Sequence, residues 1–328
     1  GWLVSAVALA AIVFAYLVNA AGNKSVSGFS VVMSAIKVGG IAIFAVAAIW
    51  ASGLSGGAFS EPVELSKADA LLASVAFSIL AFKGFTTITN SGGEMVDPHK
   101  NVGRTIMVSI AVCIVIYLLV ALAVGSSLSI SEIVQARDYS LAAAARPAFG
   151  QMGFYFTVVI ALTATISGVI ASVFAASRML AMLTDMKLLP HSHFGMSGGI
   201  QSHMLVYTVV IAGTLAVLFD LSRIASLGAF FYLVMDMLVH WGVLRNLRKE
   251  VGARATILLA ALAADGVVLA AFTVTKLRSD PAIVAYAIIG IAIVFLGQWI
   301  FLSGQRKATS SDPAERISDG HSGDQEHP

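Results

Sequence analysis

Charge is scarce in this sequence: Asp, Glu, Lys and Arg together make up 12% of its 328 residues, against about 25% in an average soluble domain. Hydrophobic residues make up 58% and the mean hydropathy is +0.88, which leaves too little polar surface to shield an apolar core from water. A soluble globular enzyme is therefore disfavoured, and a bilayer must supply the remaining cover. Neither sign of charge is in excess, with 20 Lys and Arg against 18 Asp and Glu and a formal net charge of +2. That balance offers no basic face to nucleic acid and no acidic face to a cationic partner. The lone cysteine, Cys113, lies inside an apolar run, which excludes an intramolecular disulfide and any CxxC metal or redox motif. HExxH and a phosphate-binding glycine loop are both missing, so metalloprotease and nucleotide chemistry have no anchor.

Long apolar runs are what the chain has instead. Measured against the roughly 20 residues needed to cross a bilayer, they predict nine spans, near 2–22, 28–50, 70–90, 104–127, 152–182, 204–220, 222–244, 255–275 and 281–303. Only Phe219, Asp220, Leu221 and Ser222 separate the sixth from the seventh, and fusing them would give eight. The first run starts at Gly1 with neither an initiator Met nor a basic stretch before it. It does not read as a signal peptide, and the chain is expected to begin partway through a longer protein. Ser129 and Glu132 have capping-box spacing before an alanine-rich run that ends at Pro147 and Gly150, which predicts a short helix over 130–146 on the outer surface. The expected organisation is a transmembrane domain over 1–303 followed by a disordered cytoplasmic tail over 304–328.

Orientation follows from the basic residues of the loops. Twelve of the 20 Lys and Arg fall on one side, six fall on the other, and Lys37 and Lys83 lie within spans. The richer side is expected to be cytoplasmic, with the start of the chain outside and its C-terminus inside, in the inner membrane of a bacterial cell. The Asn23-Lys24-Ser25 sequon then faces the cytosol and is a chance match.

An ionisable side chain near the bilayer centre costs roughly 2.5–3.5 kcal/mol on insertion scales, so each one needs an interior partner or a task. Lys37 is the sharpest case, nine residues from the near end of its expected span, or about 13 Å at 1.5 Å per residue. It reads either as a buried amine whose charge state is coupled to transport or as one half of a structural pair. Lys83 is nearer an interface and within reach of it by snorkelling. It belongs to Phe82-Lys83-Gly84-Phe85-Thr86-Thr87-Ile88-Thr89-Asn90-Ser91-Gly92-Gly93, which is polar and glycine-rich where a helix should still be crossing. Such a segment can leave helical geometry around Gly84, a common transporter device for holding polar substrates. The alternative is a continuous helix that frays at Gly92-Gly93. Asp236 and His240 are one helical turn apart and suit a hydrogen bond or a proton relay, although His240 equally suits the inner interface beside Trp241. Asp265 has no evident partner. His191 and His193 lie on a loop with no carboxylate or thiol nearby in sequence, so no metal site is expected.

These residues resemble the amino acid–polyamine–organocation (APC) permeases. The strongest likeness is Ala81-Phe82-Lys83-Gly84-Phe85, followed by Gly93-Glu94-Met95-Val96-Asp97-Pro98-His99-Lys100-Asn101-Val102-Gly103-Arg104-Thr105-Ile106, similar to that family's sixth helix and its following inner loop. Ala176-Ser177-Arg178 through Asp185 and Leu189-Pro190 looks like the end of its eighth helix, and Ser226-Leu227-Gly228 through Leu244-Arg245 like its tenth. Asn19 through Gly22, Lys24 and Lys37 resemble the fourth and fifth. The likeness implies an all-α integral membrane protein of about nine transmembrane helices. Its fold would be a partial five-plus-five inverted repeat without the first three helices. By that likeness Gly84 is the break in the sixth helix, Phe82, Phe85 and Thr86 lie near the substrate, and Leu80 takes a position often aromatic and gating. Lys37 takes the place of a lysine that couples protons in some members. Lys83 puts a charge beside the break where the family is usually uncharged, so Lys83 and Asp236 are noted as a polar pathway.

The resemblance implies a secondary active transporter, proton-coupled, for amino acids or related small organic amines, and not an enzyme. The competing expectation is a permease-like membrane scaffold or sensor that does not transport; an intramembrane enzyme using Asp236 and His240 is a distant third. The expected partners are a small-molecule substrate and the lipid bilayer, with no nucleic acid, no cofactor and no metal, and no residue pattern sets an oligomeric state.

Overall fold

Within a bilayer the backbone has no water to bond with, so an apolar chain satisfies its N–H and C=O groups along helices. The computed structural model describes residues 2–54, 57–60, 68–90, 95–137, 139–190 and 198–310, and among them there is no strand. Twelve helices follow in order: α1 (Trp2–Ala20), α2 (Asn23–Ser52), α3 (Ala68–Ala81), α4 (Phe85–Asn90), α5 (Pro98–Ser127), α6 (Ile130–Gln135), α7 (Ser140–Ala144), α8 (Arg146–Asp185), α9 (Ile200–Leu218), α10 (Leu221–Gly242), α11 (Ala255–Ser279) and α12 (Pro281–Ser310). A π-helical turn over Val243–Leu247 extends α10.

Eight of these helices are long and apolar enough to cross a membrane: α1, α2, α5, α8, α9, α10, α11 and α12. The remaining expected span, 70–90, is divided between α3 and α4. The 14 residues of α3 rise only about 21 Å, short of a hydrocarbon core of about 30 Å. The sixth and seventh expected spans are separate helices, and the Asp220 carboxylate caps α10 by accepting the Arg223 backbone N–H at 2.9 Å.

The expected single helix over 130–146 is corrected by the structure. The capping box forms, with the Ser129 hydroxyl and the Glu132 carboxylate each taking the other's backbone N–H, and these bonds hold the Glu132 carboxyl below its usual range. The helix nevertheless stops at Gln135, α7 begins at Ser140, and Arg146–Pro147 already starts α8, which kinks at the non-helical Gly150 (φ 57°) before continuing to Asp185. Pro147 is favoured there because the first turn of a helix needs no N–H from it. An alanine-rich run propagates a helix but does not choose between one helix and two.

Packing produces three buried clusters, and small residues dominate the closest contacts, as expected where lipid is as apolar as the side chains. Ala15, Val26, Ile170, Val173 and Leu205 join α1, α2, α8 and α9. Phe44, Ala45, Ala48, Ala123 and Ala144 join α2, α5 and α7. Ala73, Ala76, Phe230, Leu233, Phe272 and Ile283 join α3, α10, α11 and α12. Large apolar side chains cover the outside instead, with Trp50 89% exposed and Val294 65% exposed, a surface that only lipid or another apolar face can cover.

A short 3-10 turn, Gly57–Ser60, packs on the end of α5, where Ala58 donates its N–H to the Leu128 carbonyl at 2.7 Å. Gly57 has φ +60°, and a Cβ there would strike the Gly125 carbonyl oxygen and lie 2.7 Å from that of Leu128. Gly57→Ala is therefore expected to destabilise the fold by about 1–3 kcal/mol, seen as a lower unfolding midpoint in detergent. A second prediction concerns pH. The Arg223 Nε–H donated to Asp280 at 2.8 Å holds the Asp280 carboxyl below the usual carboxylate range. A lowered folded value gives stability that is present above the ordinary carboxylate range and lost as pH falls through that value. Asp280→Asn should remove this part of the acid sensitivity, measured as the thermal midpoint across the acid range.

Candidate functional site

The break in the third expected span is an observed feature. Helix α3 ends at Ala81, Phe82–Gly84 form a turn, and α4 restarts at Phe85. Gly84 has φ +118°, a conformation open to glycine and strained for a residue with a side chain. The turn satisfies part of its own backbone: Phe82 donates its N–H to the Ile79 carbonyl at 3.0 Å, Lys83 to that of Leu80 at 3.1 Å, and Thr87 to that of Gly84 at 3.0 Å. The carbonyl of Ala81 accepts the hydroxyl of Tyr117 from α5 at 2.8 Å. The Tyr117 ring also stands edge-on to Phe82, with centroids 5.1 Å apart. One tyrosine thus closes a carbonyl that helix termination would leave open and holds the aromatic side chain beside the break.

Lys37 sits within α2 and donates from Nζ to Ser167 Oγ of α8 at 3.3 Å. Ser167 is buried and Lys37 half-buried, so the amine ends in a neutral hydroxyl and the described structure gives it no carboxylate. Asn19, at the end of α1, donates its amide to the carbonyls of Ala15 at 2.8 Å and Ile170 at 3.2 Å. The face of α8 opposite these helices therefore carries a polar seam at Ser167 and Ile170 inside an otherwise apolar contact.

Beyond the break, Thr87 of α4 lines a cavity of about 400 Å³ together with Phe174, Arg178, Met182 and Asp185 of α8 and Gln201 of α9. The Arg178 guanidinium lies over the Phe174 ring at 4.6 Å. The second half of the broken helix thus opens on a partly polar space that holds Arg178, Asp185 and Gln201, a setting in which irregular backbone is tolerated at membrane depth. The inner-loop motif is built around an unusual residue: Asp97 is left-handed at φ 53°, Pro98 starts α5, and the Asn101 side chain donates to the Val96 carbonyl at 2.5 Å.

The expected site residues do not gather at one point. Phe82 and Gly84 form the break, and Phe85 opens α4; Thr86 is also in α4, but its side chain is outside the described residues. Leu80 packs against the cluster of α3, α10 and α11. Lys83 is exposed. Lys37 belongs to the contact between α2 and α8, and α5 touches both α2 and α4. Asp236 lies in neither place. It stands with His240 on α10 and Asp265 on α11, their ligand atoms within 4.8 Å of one another. His240 bonds through Nδ1 to Asp265 at 3.1 Å, not to Asp236, so the residue that seemed partnerless in sequence completes the group. His191, His193 and Gly92-Gly93 lie outside the described residues. Tyr117 and Ser167 were not singled out by the sequence; a hydroxyl in an apolar span was the available signal.

Residues 1–311 match a protein family described as amino acid permease. The chain is 26% identical over 261 residues to the inner membrane transport protein YbaT of Escherichia coli, a match covering 77% of this chain and 58% of that protein. It is 29% identical over 238 residues to the uncharacterized protein MJ0609 of Methanocaldococcus jannaschii, covering 71% of this chain and 53% of that one. In both cases the match spans little more than half of the relative's length.

Tyr117→Phe keeps the ring against Phe82 but leaves the Ala81 carbonyl unpaired, an expected loss of about 1–3 kcal/mol. Unfolding of the helical signal in a denaturing-detergent titration measures it, and an unchanged midpoint would show that the bond contributes nothing to the break.

Proposed function

This chain belongs to the amino acid permease family, and from that premise we propose that it is the greater part of a secondary active transporter, proton-coupled, for amino acids or related small organic amines. The observation that carries the reading is the break at Phe82–Gly84 between two half-helices, α3 and α4. Half-helix ends present unpaired carbonyls and N–H groups with the partial charges of the helix dipole, which suit the amine and carboxylate of a small zwitterion. On this reading Gly84 opens the site, Phe82, Phe85 and Thr86 line it, and Leu80 closes it on the side of α10. The Tyr117 contact holds the α3 end of the break in place. The likeness to an inner membrane transport protein supports a transport role in a cell membrane, and the twelve-to-six distribution of basic residues supports a cytoplasmic C-terminus.

Lys37 is the proposed coupling group. Protonated, its ammonium donates to Ser167 and ties α2 to α8; deprotonated, it loses its charge and one donor, and the tie between the two helices weakens. Loss and gain of one proton at Nζ would therefore alternate the strength of a contact between two spanning helices. Lys83 and Asp236 complete the proposed polar pathway.

In proteoliposomes carrying the full-length protein, Lys37→Ala should abolish amino acid accumulation driven by a pH gradient while exchange of labelled for unlabelled substrate continues. Unchanged accumulation would remove Lys37 from coupling. Absence of exchange with every amino acid and amine tested, in the unsubstituted protein, would favour the scaffold or sensor reading.

A further inference from the structure

The group formed by Asp236, His240 and Asp265 lies on α10 and α11, away from the break and from Lys37, and the transport reading gives it no complete task. Two carboxylates and an imidazole from two neighbouring helices converge with their ligand atoms within 4.8 Å of one another. Asp265 is 7% exposed and sits ten residues into α11, about 15 Å along its axis. Its ion-pair partner among the described residues is His240, at 3.1 Å, and Asp236 accepts no hydrogen bond from the described residues. Tyr232, one turn before Asp236, lies within electrostatic reach of both carboxylates. With both carboxylates ionised the group carries a net negative charge between two largely apolar helices, and a bound cation would offset it.

We propose that Asp236, His240 and Asp265 form a divalent transition-metal site, of the chemistry that takes Zn²⁺, bridging α10 and α11. The donor set of one imidazole nitrogen and two carboxylate oxygens is one that Zn²⁺ accepts, with a fourth position left for water. A Zn²⁺ ion cancels both carboxylate charges with His240 neutral, so the filled site is electroneutral. Around a tetrahedral ion with metal–ligand bonds of about 2.1 Å, ligand atoms lie about 3.4 Å apart. The His240–Asp265 pair is already at 3.1 Å, and a side-chain rotation of Asp236 supplies the third ligand. His240, with its side chain 25% exposed, provides the approach. Asp265 is 25 residues from His240 and no short motif links them, so the grouping is invisible before the chain folds. Since α3 packs on both α10 and α11, an ion clamping these two helices would also restrain the first half of the broken helix.

The test uses the tag-free full-length protein, stripped with a chelator and titrated with Co²⁺ as a spectroscopic probe. The expected result is one equivalent bound with the visible bands of a low-coordinate site, displaced by one equivalent of Zn²⁺, and a thermal midpoint raised by either ion. His240→Ala and Asp265→Asn should each weaken binding at least about tenfold, whereas a His191→Ala/His193→Ala variant should bind as the unsubstituted protein does. Failure of the unsubstituted protein to take up a stoichiometric ion would overturn the proposal and leave a hydrogen-bonded group that handles protons alone. Binding undiminished in the combined Asp236→Asn/His240→Ala/Asp265→Asn variant would overturn it equally. Neither outcome bears on exchange activity, so this proposal and the transport reading fail separately.

Discussion

The rest of the structure depends on one constraint: at membrane depth each backbone N–H and C=O must find a partner within the protein. Eight helices meet it by running for the width of a bilayer, α8 beyond its kink at Gly150. The chain departs from that solution at Phe82–Gly84, and other parts of the molecule make good the departure. Bonds to the carbonyls of Ile79 and Leu80 tighten the end of α3, Tyr117 reaches 36 residues back to the Ala81 carbonyl, and the cavity beside Thr87 sets α4 against Arg178, Asp185 and Gln201. A break held in this way keeps its remaining polar groups oriented and not merely frayed, as the proposed binding site requires.

The polar links that join distant segments divide by location. Asn19 and Lys37 tie α1 and α2 to α8, His240 ties α10 to α11, and Tyr117 ties α5 to the break. The clusters between them are built from alanine, phenylalanine and branched aliphatic side chains. Because dispersion packing between apolar helices in lipid is weakly directional, these few polar contacts do much to fix which helix faces which.

Much of the architecture was legible in sequence. Run length located the eight spanning helices found among the described residues, and the coincidence of Gly84 with a polar stretch located the break in the ninth run, because glycine and a loss of hydropathy act on the chain locally. The capping box at Ser129 was legible for the same reason. The division of 130–146 into two helices was not, since alanine supports either outcome. Long-range pairing was equally hidden: Ser167 lies 130 residues from Lys37, and hydrophobic periodicity says which residues avoid lipid but not which ones meet. For the same reason the sequence offers His240 either Asp236, one turn away, or the inner interface beside Trp241, whereas tertiary packing brings it to Asp265.

The central claim is that the break and the cavity beside it hold the substrate. Its most direct test is the alkylation rate of a single cysteine at Thr87→Cys, in full-length protein whose native Cys113 is replaced by serine, with amino acids added one at a time. The account predicts that at least one amino acid or amine slows labelling in a saturable manner and that the same compound is exchanged in proteoliposomes. A labelling rate indifferent to every exchanged compound would contradict it.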